Sequence, residues 1–145
     1  MPRPRTSRRT GAAAVELAAL LPFLMFVAVI ATDWARLLYH TITIEQAALR
    51  GASYAADKTT QFESPYYNAV ESAAVEAVVR AEAANLDQSK LPAPTLSNFT
   101  GADGRPMVTV TVQYNFSTIT NFPGVPQNQT LTRQATMRVF PVAPN

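Results

Sequence analysis

Three residues near the N-terminus hold most of the chemistry that this sequence offers: Gly11, Ala12 and Glu16. Glu16 is the one charge in the apolar run from Ala12 to Ala31, and an ionised carboxylate inside a membrane span is costly enough that such residues tend to have a functional partner. A peptidase cutting after Gly11 would create an ammonium on Ala12, one helical turn from Glu16 and on the same face. The carboxylate would then pair within its own chain, or with the ammonium of a neighbouring subunit packed alongside, which would set the register of a polymer. A plainer reading stands beside this one. Glu16 lies ~6 Å along a helix from Ala12, near the hydrated interface and near a helix N-terminus whose dipole favours an anion.

The rest of the chain offers catalysis little. The sole histidine, His40, has no acid three or four residues further on and no cysteine with which to share a metal. There is no Gly-x-Ser-x-Gly, no phosphate-cradling glycine loop and no acid cluster with ligand spacing. The expectation is a protein that is not an enzyme, with no cofactor and no bound metal.

The elements that must position the N-terminal residues follow from hydropathy. Ala12 to Ala31 is long enough, at 1.5 Å of rise per residue, to cross a hydrocarbon core of ~30 Å. Arg3, Arg5, Arg8 and Arg9 precede it with no acid among them, so the N-terminus stays in the cytoplasm and the chain beyond about Thr32 crosses the membrane. The reading divides the chain into a basic leader (1–11), a transmembrane helix (12–32) and an extracytoplasmic α+β domain (33–145). Pro22 falls inside the span, where it leaves the Ala18 carbonyl without its helical partner and predicts a kink.

Of the twelve Lys and Arg residues, four lie in the leader; the remaining eight face ten acids, so the chain beyond the leader is mildly acidic at −2. With no basic run there, nucleic acid is not an expected partner. The chain has no cysteine, so the outer domain relies on packing instead of disulfides.

Past the span the helical pattern continues without a breaker through Trp34, Leu37, Leu38, Ile42, Leu49, Ala52 and Ala56, with Asp33, Arg36, Glu45 and Arg50 for a wetter side. Trp34 and Tyr39 suit the outer interface. Gly51 either permits close approach of another element or weakens the helix near its end. A polar connection, Asp57 to Ser64, leads to a second helix from Pro65 with a stripe of Ala69, Val70, Ala73, Ala74, Ala77, Val78 and Ala81. Asn85 to Pro106 reads as loop with a short extended piece near Thr95–Phe99. Val108, Val110, Val112, Tyr114 and Phe116 then alternate with polar residues, as a half-buried strand does. A second strand, Thr130 to Phe140, places Leu131, Ala135, Met137 and Val139 inward, with Arg133 interrupting that face. The connection between these strands, with Ile119, Phe122 and Val125, is apolar enough to touch lipid or a partner, or to fold back on the sheet.

A short basic leader, glycine, four small or apolar residues, glutamate and an apolar helix form the pattern of type IV prepilins and pseudopilins. Taken with Asp33-Trp-Ala-Arg-Leu-Leu-Tyr, Gln46 to Ala56 and the two closing strands, the sequence resembles the TadE-like family. It departs at Leu17, where an aromatic often follows the glutamate, and at Thr10, where a basic residue often precedes the glycine. The resemblance implies a minor pseudopilin in the inner membrane that takes part in assembly of a tight-adherence (Flp-type) pilus. Membrane lipid, a prepilin peptidase and other pilus-assembly proteins or pilins are then its partners, and Gly11, Ala12 and Glu16 its processing and assembly residues. Two other readings remain: a signal-anchored surface protein, and a binding domain released by signal peptidase near Val29-Ile30-Ala31.

Overall fold

The computed structural model describes residues 9–59, 69–119 and 127–139. A single helix, α1 (Arg9–Thr59), runs unbroken through Pro22 and is ~76 Å long at ordinary rise. A second helix, α2 (Ala69–Glu82), and one 3₁₀ turn (Gln88–Lys90) lead to three strands, β1 (Thr95–Thr100), β2 (Pro106–Ser117) and β3 (Asn128–Arg138). These form an antiparallel sheet of order β1-β2-β3. The fold is α+β, as the periodicities predict.

The sheet is built on the alternation in β2. Val108, Val110, Val112, Tyr114 and Phe116 all point inward and are buried, and their neighbours across the ladder set the rest of that face. Val110 pairs with Leu96 of β1 and Ala135 of β3, Val108 with Met137, and Tyr114 with Leu131. On the opposite face Thr109 and Thr136 share a hydroxyl hydrogen bond of 2.7 Å. The extended piece near Thr95 is thus an edge strand paired along its whole length. Arg133 stands opposite Val112 but escapes burial by reaching over α1, its Nε 3.9 Å from Glu45.

Small residues on α1 let helix and sheet come together. Ile44, Ala47, Ala48, Ala52, Ala55 and Ala56 are buried against the sheet and α2. Gly51 sits where all three elements meet: a Cβ there would lie 2.8 Å from Val79 Cγ2 of α2 and 3.3 Å from Val110 Cγ1 of β2. Close approach is therefore the reason for this glycine, in the middle of the packed face.

The contacts also fix direction. Asp33 meets Ile119, His40 meets Tyr114 and Phe116, and Gly51 meets Val110. Going up α1 means going backwards along β2, over matched lengths of about 27 Å of helix and 30 Å of strand. The end of β2 and the start of β3 consequently lie at the level where the bare part of α1 ends. The hairpin between β1 and β2, closed by Gly104 at φ 74° and by Arg138 with Asp103, lies at the opposite end.

Two sequence expectations need correction. The buried side of α2 is not the alanine stripe: Ala73, Ala77 and Ala81 are exposed, while Val75, Val79 and Ala83 face the core, followed by Leu86. Alanine costs a helix little when exposed, whereas the branched valines gain most from burial. Asp33 does not belong to a wet side either; it is 2 % exposed, because it binds the chain leaving β2. The expected helix start at Ser64–Pro65, and Phe122 and Val125 of the strand connection, lie outside the described residues.

Candidate functional site

Gly11, Ala12 and Glu16 occupy the first turns of α1, and all three are exposed. Nothing lies within 4 Å of where a Cβ on Gly11 would stand. Among the described residues no packing asks for glycine there, and glycine costs a helix interior about 1 kcal/mol relative to alanine. Glu16 lies one turn above Ala12, and among the described residues no cation pairs with it. The apolar surface that follows is equally bare: Val15, Leu20, Phe23, Leu24, Met25 and Val27 are all exposed.

The bare stretch ends at a cluster that sequence reasoning did not assemble. The carboxylate of Asp33 accepts the backbone N–H of Ile119 at 3.2 Å and stands 3.4 Å from the Arg36 guanidinium. Arg36 in turn lies over the Phe116 ring, 5.6 Å from its centroid, a cation–π distance. His40 packs against Tyr114 and Phe116 at 5.1 and 5.2 Å between centroids. Its Nδ1 lies 2.5 Å from the Arg36 carbonyl; a carbonyl only accepts, so Nδ1 carries the proton. Burial pushes the Tyr114 phenol above its ordinary pKa, against a hydrogen bond from the Asp87 backbone. The polar atoms here fasten the sheet end to the helix; the ring of His40 serves as packing. The one signal in the sequence was an acid directly after the span, in register with an inward face that ends in two aromatics.

Further polar links tie the same end together. Asn85 donates to the Tyr39 hydroxyl, and Lys90 Nζ donates to Ser117 Oγ at 2.9 Å. Beside that lysine, a pocket of about 410 Å³ opens between the end of β2 and the start of β3. Among the described residues no group of three His, Cys, Asp or Glu side chains is placed to hold a metal.

Beyond Asp33 along α1, Trp34, Leu38, Ile42 and Leu49 fall on one face and are 49, 58, 55 and 43 % exposed. This stripe extends the bare surface of the span past the Asp33 cluster. The molecule is thus an α+β domain carried on a candidate membrane span, the architecture of a single-pass membrane protein. Residues 11–53, most of α1, match the family model described as TadE-like protein. The match ends before α2 and the sheet. No curated protein matches the chain, and no solved structure does.

Proposed function

We propose that this chain is a minor-pseudopilin-like protein of the inner membrane that takes part in assembling a tight-adherence pilus. Its leader (1–11) is cytoplasmic and is removed after Gly11 by a prepilin peptidase; residues 12–32 span the membrane, and 33–145 form the extracytoplasmic domain. The new ammonium of Ala12 pairs with Glu16 of the same or a neighbouring subunit. The observation that carries this reading is the continuous uncovered face of α1, from the span through Trp34, Leu38 and Ile42. Lipid covers its lower part, and a packed subunit is the natural cover for the upper part. The open surroundings of Gly11 fit a residue selected for a peptidase, since the fold makes no use of its small size.

The test separates cutting from assembly. Gly11→Val should retain the leader, whereas Glu16→Ala should be cut and yet fail to support pili. Intact mass spectrometry of both variants and the wild type, beside a piliation assay, reads both outcomes. Full-length wild type would overturn processing, piliated Glu16→Ala cells would overturn the pairing, and a mature N-terminus near Thr32 would mark release by signal peptidase instead.

A further inference from the structure

We infer that the membrane-facing end of the domain is a lipid-binding surface: Ile119 enters the leaflet that α1 leaves, and the pocket beside Lys90 takes the phosphate of an anionic phospholipid headgroup. The inference rests on the reading of 12–32 as a span, which membrane retention after a carbonate wash checks separately.

Level is fixed by one hydrogen bond. Asp33 is the first buried residue above the bare segment, and its carboxylate holds the backbone N–H of Ile119 at 3.2 Å. Ile119 therefore sits where α1 leaves the hydrocarbon. Its side chain is nevertheless 71 % exposed, an apolar group that none of the described residues covers, at the height of Trp34. Ser117 is two residues back, ~7 Å along extended chain, and the Lys90 ammonium is 2.9 Å from its hydroxyl. A headgroup layer is roughly 5–8 Å deep on each side of the hydrocarbon core, so Lys90 stands at phosphate height.

The chemistry of the pocket suits an anion. Lys90, Asn115, Ser117, Asn128 and Thr130 line it. Lys90 has three N–H donors and gives one to Ser117. The Thr130 hydroxyl donates to Asn115 Oδ1 at 3.1 Å, which leaves the amide N–H₂ of Asn115 to offer. Asp87, held below the usual carboxylate range by the Ser89 hydroxyl and backbone N–H with the Lys90 charge nearby, stays ionised and offsets part of the Lys90 charge, while its acceptor oxygen is occupied by Ser89. A cation with amide and hydroxyl donors, above an exposed isoleucine, matches a phosphate above acyl chains.

The chain has no cysteine, so Ile119→Cys provides a unique labelling site in the full-length protein. An environment-sensitive fluorophore at position 119, in lipid nanodiscs, should be quenched by lipids carrying a shallow nitroxide. The same fluorophore at Ala102→Cys, in the far hairpin, should not be. Equal and weak quenching at both positions would overturn the membrane contact. In the unlabelled protein, the rate of Lys90 acylation relative to Lys58 should fall when phosphatidylglycerol replaces part of the phosphatidylcholine. The expected fall is roughly five-fold, the equivalent of ~1 kcal/mol for one basic residue at an anionic surface. An unchanged ratio would overturn the headgroup site. Equal protection by inorganic phosphate added to phosphatidylcholine discs would assign the pocket to a free anion and overturn the lipid source.

Discussion

The two halves of α1 are one helix with opposite uses of apolar surface. Below Asp33 the helix is built from Leu, Phe, Val, Met and Ile, and of these large side chains only Ile30 is half-buried. Above it the buried positions are mostly alanines, with Ile44 and Gly51 among them. Burial within the protein thus falls on the less hydrophobic half. Small side chains let the α1 backbone approach α2 and β2, while large ones all around a helix suit a solvent that adapts to any shape. Hydrophobicity alone says that a surface must leave water; side-chain size tells whether protein or lipid receives it.

The strongest test of this contrast is a pair of truncations. Ile44→Ala should destabilise the domain by ~2–5 kcal/mol, through lost transfer energy and the cavity left behind. Leu21→Ala, in the bare half, should leave the urea midpoint of the domain in detergent unchanged. Similar losses at both sites would mean that the span packs on the domain after all.

A smaller effect belongs to the boundary between the halves. Asp33→Ala takes the acceptor from the Ile119 N–H and the partner from Arg36, and should cost about 2 kcal/mol, as a broken hydrogen bond to a buried charge does. Hydrogen exchange should accelerate at Ile119 before it does so at Val110. Uniform acceleration over all of β2 would show that Asp33 supports the whole sheet instead of fastening one end.

The smallest effect is expected at Gly51→Ala, where crowding of ~1–3 kcal/mol by Val79 and Val110 opposes the ~1 kcal/mol of helix propensity that alanine restores. The net loss should be about 1 kcal/mol, recovered by adding Val79→Ala. A stabilised Gly51→Ala protein would show that the elements yield more easily than the side-chain distances imply.

Patterns with a strict period were legible in the sequence. The alternation from Val108 to Phe116 specified the buried face of β2, and the uninterrupted apolar run specified α1. The face of α2 was misread because alanine satisfies either environment, and only contact with Gly51 shows that Val75 and Val79 point inward. Asp33 was misread because a charge normally marks solvent; its hydrogen bond comes from Ile119, a residue far away in sequence that no local pattern links to it. Gly11, Ala12 and Glu16 present the reverse case. Their spacing is readable, while among the described residues nothing packs around Gly11, and the role proposed for them is played with other molecules.

The absence of any break in α1 at Asp33 has a mechanical consequence. With 12–32 in a bilayer, as proposed, the helix from Asp33 to Thr59 extends ~40 Å beyond it as a continuation of the same rod. Tilting that rod in the bilayer by ~10° swings its upper end sideways by ~7 Å, and the sheet, fastened along it from Ile119 to Val110, travels with it. Bilayer thickness and neighbouring helices, which set the tilt, thereby aim the outer domain.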